Sequence, residues 1–292
     1  MPSKKKKKSR KRAAPAGASP SSVLRRLGVW LLTSATVAIQ TASCGFAPGT
    51  APSPPTAGQH EPAAGRASTS AASGFEDCPQ WFAGGVPPTA PKASHLRALC
   101  YDAFALLHSG RTRTPVFVAE RLNRQVLQQA QGEPRTDNFF ADARLPRSER
   151  AELADYKGSG YARGHMAPAG DMPTASAMAQ SFSLANMVPQ DPRQNSGPWS
   201  KIEQDTRRYV QRARGDVYVI TGPVFGAESR TIGAGQVRVP THLYKLVYDA
   251  TTQRAWAHWQ ENSHRAQVGP PISYGELEQR IGMELLPGVE IR

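Results

Sequence analysis

The chain has 292 residues and a formal net charge of +13, a balance typical of proteins that bind nucleic acid. Ten of the 36 basic residues, however, lie in residues 1–43, which contain no acid, and the other 26 face 23 acidic residues, a net charge of +3. The charge is therefore weak evidence for a nucleic-acid partner. The length is enough for one large domain or two small ones, and the hydrophobic fraction of 39% is typical of a globular protein. The sequence contains no G-x-S-x-G, H-E-x-x-H, P-loop or zinc-spaced Cys/His pattern. It therefore gives no support to a serine, zinc or nucleotide-dependent hydrolase.

The N-terminus is predicted to be a targeting segment. A basic run at residues 4–8 is followed by thirteen mostly apolar residues, 27–39, and then by small residues. This run is short for a membrane span and typical of a signal-peptide core, so residues 1–43 are predicted to be a signal peptide or a signal anchor. Cys44 follows as at a lipoprotein cleavage site, although Thr41 stands where an aliphatic residue is expected. We therefore predict an exported protein, periplasmic or extracellular, with membrane attachment through the N-terminus as the alternative.

The chain contains three cysteines. In an oxidising compartment, Cys78 and Cys100 are predicted to form a disulfide bond, which leaves Cys44 for a lipid or for removal with the signal. The alternative is a pair of free, buried thiols.

Residues 44–75 consist mainly of Ala, Pro, Ser, Gly and Thr, and they are predicted to be a disordered linker because they cannot bury enough apolar surface to offset the entropy lost on folding. The folded domain is then residues 76–292. Strands are predicted at residues 181–187, at 217–225 with a break at Gly222-Pro223, and at 241–250 and 254–262, which form a hairpin. Three residues of this hairpin share one face: Tyr244, Leu246 and Tyr248.

Two helices are predicted beside these strands. One runs from about Pro198 to Arg214, and its inner stripe consists of Trp199, Ile202, Thr206, Tyr209 and Val210. The other begins at the capping box of Ser273 and Glu276 and ends near Ile281. The fold class is therefore α+β, with a mixed or antiparallel central sheet flanked by helices.

Two stretches contain residues suited to phosphate chemistry. In "YARGHMAPAGD", Arg163 offers a planar fork for phosphate oxygens, and His165 is the side chain best suited to general-base work near neutral pH. On the predicted helix, Glu203 and Arg207 are one turn apart, and Asn195 lies just ahead of the first turn. Each feature taken alone is more often structural: a buried histidine, a surface ion pair or a helix cap.

The chain resembles the DNA/RNA non-specific endonuclease family over most of residues 76–292. The resemblance rests on five stretches in the family's order and spacing: "YARGHMAPAGD", "FSLANMVPQ", "QNSGPWSKIEQDTRR", "VYVITGPVF" and "VPTHLYKLVYD". It implies a ββα-metal core, as in secreted bacterial nucleases and mitochondrial endonuclease G. It also implies a largely sequence-non-specific endonuclease that hydrolyses phosphodiester bonds in DNA and RNA. The family includes homodimers, so a homodimer is an open alternative.

The resemblance further implies a role for each matching residue. His165 matches the base that activates water, Asn195 the single direct protein ligand of Mg²⁺, and Glu203 the acid that holds a metal-bound water. Mn²⁺ remains an alternative metal. Two arginines match positions near the phosphate, and one asparagine matches a residue that lines the substrate site: Arg163, Arg207 and Asn186.

Ala162 departs from the family's D-R-G-H motif. The missing carboxylate is expected to weaken metal binding, to lower the rate, or to be replaced by another residue such as Asp155. Because His165 and Asn195 persist, an active enzyme is favoured. The competing interpretation is an exported nucleic-acid-binding protein of the same fold, catalytically weakened or inactive, whose binding falls with salt.

Overall fold

The computed structural model describes residues 74–90 and 92–292. The predicted signal segment, 1–43, and nearly all of the predicted linker, 44–75, lie outside these residues. The strands are β1 (Leu96–Cys100), β2 (Phe104–Ser109), β3 (Thr114–Leu122), β4 (Ala162–His165), β5 (Met187–Gln190), β6 (Val217–Val224), β7 (Thr231–Ile232), β8 (Val237–Arg238), β9 (His242–Asp249), β10 (Arg254–Glu261) and β11 (Ile272–Ser273). The α-helices are α1 (Arg124–Ala130), α2 (Leu153–Tyr156), α3 (Ala175–Ser181), α4 (Pro192–Gln194), α5 (Ser200–Val210) and α6 (Tyr274–Ile281).

Seven strands form one antiparallel sheet in the order β1-β2-β3-β6-β9-β10-β11, and the pairs β4–β5 and β7–β8 are separate. The predicted α+β class is confirmed, and the sheet is the antiparallel alternative. β9 and β10 form the predicted hairpin, with Asp249 opposite Arg254 beside the turn. The helix that Ser273 begins is also confirmed, because the Ser273 hydroxyl accepts a hydrogen bond from the N–H of Glu276 at 3.1 Å.

The predicted break in β6 at Gly222-Pro223 is wrong, because the strand continues to Val224. Pairing with β3 ends at Thr221, while pairing with β9 continues to the end of the strand. Beyond Thr221 the strand thus has a partner on one side only, a position in which a sheet tolerates proline.

One face of the large sheet is packed mainly with aliphatic and aromatic side chains. Tyr244, Leu246 and Tyr248 lie in this cluster, as predicted, and Leu277 of α6 covers it. Phe75 belongs to the same cluster and is 3% exposed, with its ring edge-to-face against Phe82 at 4.9 Å. The folded domain therefore includes Phe75, which the sequence assigned to the linker.

The opposite face of the sheet is covered by a ββα unit. β4 and β5 pair antiparallel, with His165 opposite Met187, and β5 leads through α4 and a π-helical segment (Asn195–Trp199) into α5. Ile202 and Met166 share one buried cluster, which fixes α5 against the end of β4. The predicted inner stripe of this helix is confirmed: Trp199, Ile202, Thr206 and Val210 are buried and Tyr209 is half-buried.

Two element boundaries near this unit differ from the prediction. The strand predicted at residues 181–187 is wrong, because Ser181 ends α3 and a 3-10 turn covers Leu184–Asn186 before β5 begins. The Ser183 hydroxyl accepts a hydrogen bond from the N–H of Ala185, a local contact that favours a turn over a strand. α5 ends at Val210, four residues earlier than predicted.

The predicted disulfide bond between Cys78 and Cys100 is confirmed. It ties the segment ahead of the sheet to the end of β1, beside the nonpolar face. Within the described part of the chain, no helix is both long and apolar enough to cross a membrane.

Candidate active site

Strand β4 presents Arg163 and His165 on the same side, because side chains two residues apart in a strand point the same way. Arg163 is exposed and His165 is 9% exposed. Gly164 between them packs against β5, where any Cβ at this position would overlap the side chain of Gln190. The small residue thus brings β4 and β5 together directly beneath the predicted base.

His165 lies in an aromatic setting. Its ring centroid is 5.8 Å from that of Phe139 and 5.0 Å from that of Phe182. Burial lowers the pKa of His165 to about 3, and the positive charges of Arg135 and Arg163 act in the same direction, against Asp137. The imidazole is therefore neutral near pH 7 and can accept a proton. Nε2 is buried without a hydrogen-bond partner among the described residues, which leaves Nδ1 as the nitrogen able to meet a substrate water.

Two arginines lie on the aromatic rings around His165. The guanidinium of Arg163 is 4.0 Å from the centroid of Phe139, and that of Arg135 is 5.0 Å from the centroid of Phe182. Stacking holds both side chains in place. The N–H groups of Arg163 stay available, whereas Arg135 donates from Nε to Asp137 at 2.7 Å. Arg135 was missed in the sequence because it precedes β4 by 27 positions in an irregular segment, where no pattern of residues distinguishes it.

Asn186 is placed differently from the prediction. Its side chain is fully buried and hydrogen-bonds only to backbone: Oδ1 accepts from Ala167 N–H, and Nδ2 donates to the carbonyls of Ala167 and Ser181, each at 2.9 Å. These bonds occupy both amide hydrogens. The predicted contact with substrate is therefore corrected to a supporting role, in which Asn186 holds the chain that follows His165.

Asn195 and Glu203 enter the site from the helical part of the unit. Asn195 begins the π-helical segment and is partly exposed, and neither side chain hydrogen-bonds to another residue that the structure describes. Burial raises the pKa of Glu203 to about 7, opposed by the positive charges of Lys245, Arg207 and Arg135. The charge of Arg135 acts on the pKa of both Glu203 and His165.

Arg207 is held by a carboxylate that the sequence did not assign to the site. Its Nη1 donates to Oδ1 of Asp171 at 2.9 Å, and the side chain of Asp171 is only 4% exposed. The pairing fixes the guanidinium beside Gly170, where a Cβ would lie 3.2 Å from Nη1. Asp171 ends the "YARGHMAPAGD" stretch, so one sequence segment supplies both His165 and the partner of Arg207.

A buried charged group lies under the site. Glu120 of β3 is 1% exposed, and neither carboxylate oxygen has a hydrogen-bond partner in the described chain. Burial and the charge of Asp171 raise the pKa of Glu120 well above its ordinary value, while Lys245 and Arg207 oppose this. Lys245 of β9 is also 1% exposed and donates to the Thr221 hydroxyl at 2.7 Å. Glu120 and Lys245 each alternate with nonpolar neighbours, as polar residues do in an ordinary half-buried strand. The sequence pattern therefore did not indicate that either residue lies near the site.

Asp155 does not replace the missing carboxylate at Ala162. It is 4% exposed, and its oxygens accept from the backbone N–H groups of Glu152 at 2.9 Å and Gly235 at 2.6 Å. Both contacts are structural, since they cap α2 and anchor the β7–β8 turn. The expectation that Asp155 compensates is therefore wrong.

The site offers oxygen donors that suit a hard divalent cation. The side chains of Asn195 and Glu203 have no competing hydrogen bonds within residues 74–90 and 92–292, and amide and carboxylate oxygens are the ligands that Mg²⁺ prefers. In those residues no group of three or more His, Cys, Asp or Glu side chains could hold a metal ion. The residues thus fit a cation that keeps most of its waters rather than one enclosed by protein ligands.

This geometry agrees with the comparison to known proteins. The pattern of the DNA/RNA non-specific endonuclease family matches residues 86–290. The chain belongs to this family. Human mitochondrial nuclease EXOG is 37% identical over 161 residues, 51% of this chain and 43% of that protein. Human mitochondrial endonuclease G is 34% identical over 175 residues, 56% of each chain.

A solved structure also matches this member of the family. A chain from the crystal structure of the EndoG/EndoGI complex superposes with a TM-score of 0.62 at 25% identity, over 69% of this chain and 91% of that chain. The predicted ββα fold is thereby confirmed. The chain matches only about half the length of the two curated relatives above.

The predicted export is contradicted by the relatives. The EXOG proteins of Homo sapiens and Xenopus laevis, nuclease 1 of Schizosaccharomyces pombe and human endonuclease G are all named as mitochondrial nucleases, not as exported proteins. The prediction relied on a basic, acid-free N-terminus before an apolar run. A basic segment that lacks acids is shared by secretory signals and organelle transit peptides, so this feature does not separate the two.

Proposed function

We propose that this protein is a metal-dependent endonuclease that hydrolyses phosphodiester bonds in DNA and RNA with little sequence preference. The observation that supports the proposal best is the convergence of a neutral histidine, two free oxygen donors and two anchored arginines on one ββα unit. His165 comes from β4, Asn195 and Glu203 come from the helical segment, and Arg207 is fixed by Asp171.

His165 acts as the general base in this proposal. Burial lowers the pKa of His165, which leaves the imidazole unprotonated before the reaction and also makes it a weaker base. In this proposal Nδ1 takes the proton of a water as that water attacks phosphorus and the P–O bond to the leaving group breaks. The rings of Phe139 and Phe182 fix the imidazole and limit the water around it. Nε2 is buried, so a proton taken by the ring leaves again through Nδ1.

Asn195 would hold Mg²⁺ directly and Glu203 would hold one of its waters. When bound, the ion would supply positive charge near the leaving oxygen. Arg163 and Arg207 offer planar guanidinium edges to the phosphate oxygens, on which negative charge grows in the transition state. None of these groups is arranged to distinguish one base from another, which supports low sequence preference.

The proposal is tested with the full chain on supercoiled plasmid and on RNA, with Mg²⁺ or with EDTA. We expect metal-dependent cleavage of both substrates, a loss of about 10²- to 10⁴-fold in His165→Ala, and full activity in the exposed control His264→Ala. Full activity in His165→Ala would refute the assigned base. Binding without cleavage in any divalent metal would instead favour a nucleic-acid-binding protein that has lost catalysis, with Ala162 as the obvious cause.

A further inference from the structure

A pocket of about 640 Å³ opens beside His165, and Arg163 is the one residue of its lining to which the mechanism above gives a role. Its walls come from the segment before α2, from α2 itself and from the start of β4. Its cationic and aromatic lining consists of Arg135, Lys157, Arg163, Phe139, Tyr156 and Tyr161. We call it the β4 pocket. Its volume lies in the range of about 300 to 1,000 Å³ that is usual for small-molecule sites.

The β4 pocket holds an excess of positive charge. Asp137 is the one carboxylate of its lining, and Arg135 already binds it at 2.7 Å. Lys157 and Arg163 form no ion pair and no hydrogen bond with other residues of the described chain. Two cationic groups are therefore available to an anion.

The remaining surface of the β4 pocket suits a flat, partly apolar group. Leu153 lines it and is 44% exposed, so its apolar side chain is accessible to a ligand. Tyr156 is 6% exposed, and its hydroxyl has no hydrogen-bond partner among the described residues. A phosphate attached to a ring system, as in a nucleotide, matches this combination of free cations, aromatic rings and an exposed aliphatic side chain.

Ala162 belongs to the wall of the same pocket. An aspartate at this position would add a second carboxylate next to Arg163 and would neutralise part of the charge that Lys157 and Arg163 present. The methyl group keeps that charge available. The departure at Ala162 thus favours anion binding in the β4 pocket.

We propose that the β4 pocket binds the nucleotide next to the scissile phosphate. Arg163 contacts the scissile phosphate itself, Lys157 contacts the phosphate on the other side of this nucleotide, and the base lies against Tyr161 and Leu153. This inference rests on the proposed nuclease function and names a substrate subsite of the same groove. It assigns Lys157 as a substrate-binding residue and Ala162 as a determinant of affinity.

The first test measures binding without turnover. The full chain is titrated in EDTA into a short fluorescent single-stranded DNA, and anisotropy is followed at several salt concentrations. Lys157→Ala and Ala162→Asp are each expected to weaken binding about fivefold or more, and Lys157→Ala should lower the salt slope by about one. The control Lys92→Ala, at an exposed lysine outside the pocket, should stay within about twofold of the native chain. Ala162→Asn, whose neutral side chain has nearly the size of aspartate, separates charge from bulk and should weaken binding less than Ala162→Asp.

Equal affinity of Ala162→Asp and Ala162→Asn, or of Lys157→Ala and Lys92→Ala, would overturn the proposal. A kinetic readout gives a second decision. If the β4 pocket binds substrate as proposed, Ala162→Asp should raise KM and leave kcat unchanged. A raised kcat would show instead that aspartate at this position restores a catalytic carboxylate, and it would contradict the proposal. Because binding is measured in EDTA, native protein that binds with the expected pattern but cleaves nothing would refute the nuclease function and leave the pocket standing.

Discussion

The two faces of the large sheet differ in what they bury. On β9, Tyr244 and Leu246 point into a cluster of aliphatic and aromatic side chains, while Lys245 between them points to the face that carries the ββα unit. That second face also buries Glu120, whose carboxylate lacks any hydrogen bond in the described chain. Burying charged groups costs stability unless other charges compensate. One face therefore contributes nonpolar packing, and the other buries ionisable groups that act on Glu203 and Arg207 of the candidate site.

The largest expected effect comes from the nonpolar face. Leu246→Ala removes a fully buried side chain from β9 and is expected to lower the free energy of unfolding by about 2 to 5 kcal/mol. Urea denaturation measures it, with the half-exposed Val268→Ala as a control expected within about 0.5 kcal/mol. Cleavage per folded molecule should not change. A selective loss of activity would mean that the two faces are not independent.

The disulfide bond should have the next largest effect on the same face. Cys78 and Cys100 are 22 residues apart, and loss of a cross-link of this size is expected to cost about 3 kcal/mol through the entropy of the unfolded chain. The Cys78→Ser, Cys100→Ser double variant tests this by thermal unfolding beside native protein. Unaltered stability would show that nonpolar packing alone holds the segment around Phe75.

On the opposite face, Glu203→Gln should affect activity rather than stability. It removes the charge proposed to hold a metal-bound water, so we expect cleavage to fall about 10- to 100-fold and half-maximal activity to need more Mg²⁺. Glu276→Gln is the matched control, because Glu276 lies exposed on α6 in an ion pair with Arg280. If both variants keep the native rate and Mg²⁺ dependence, Glu203 has no role in metal binding.

The smallest effect is a pH dependence of stability. Burial lowers the pKa of His165 from 6.5 to about 3, so between these values the unfolded chain binds a proton that the folded chain does not. The contribution of His165 to the free energy of unfolding is therefore complete above pH 6.5 and falls as pH falls below that value. At about pH 5 it is lower by roughly 2 kcal/mol. His165→Gln should reduce the difference between urea unfolding at about pH 7.5 and about pH 5. The exposed control His264→Gln should retain the native difference; equal slopes in all three proteins would contradict the depressed pKa.

Local pattern was enough to predict several parts of this protein. Alternation of nonpolar residues predicted the β9–β10 hairpin and its inner face, the stripe on α5 followed from helical spacing, and Ser273 marked the start of α6. Boundaries failed where tertiary contacts override local preference. β6 passes through Gly222-Pro223 because β9 continues to pair with it, and residues 181–187 turn because Ser183 hydrogen-bonds locally.

The sequence by itself determined the candidate residues for chemistry: a histidine, an asparagine, a glutamate and two arginines in an order that resembles the family's. Only the tertiary structure decided what surrounds them. It paired Asp171 with Arg207, turned Asn186 inward, committed Asp155 to backbone contacts and placed Arg135 over Phe182. The physical reason is that charge, burial and hydrogen bonding act through space, between residues whose separation along the chain carries no signal.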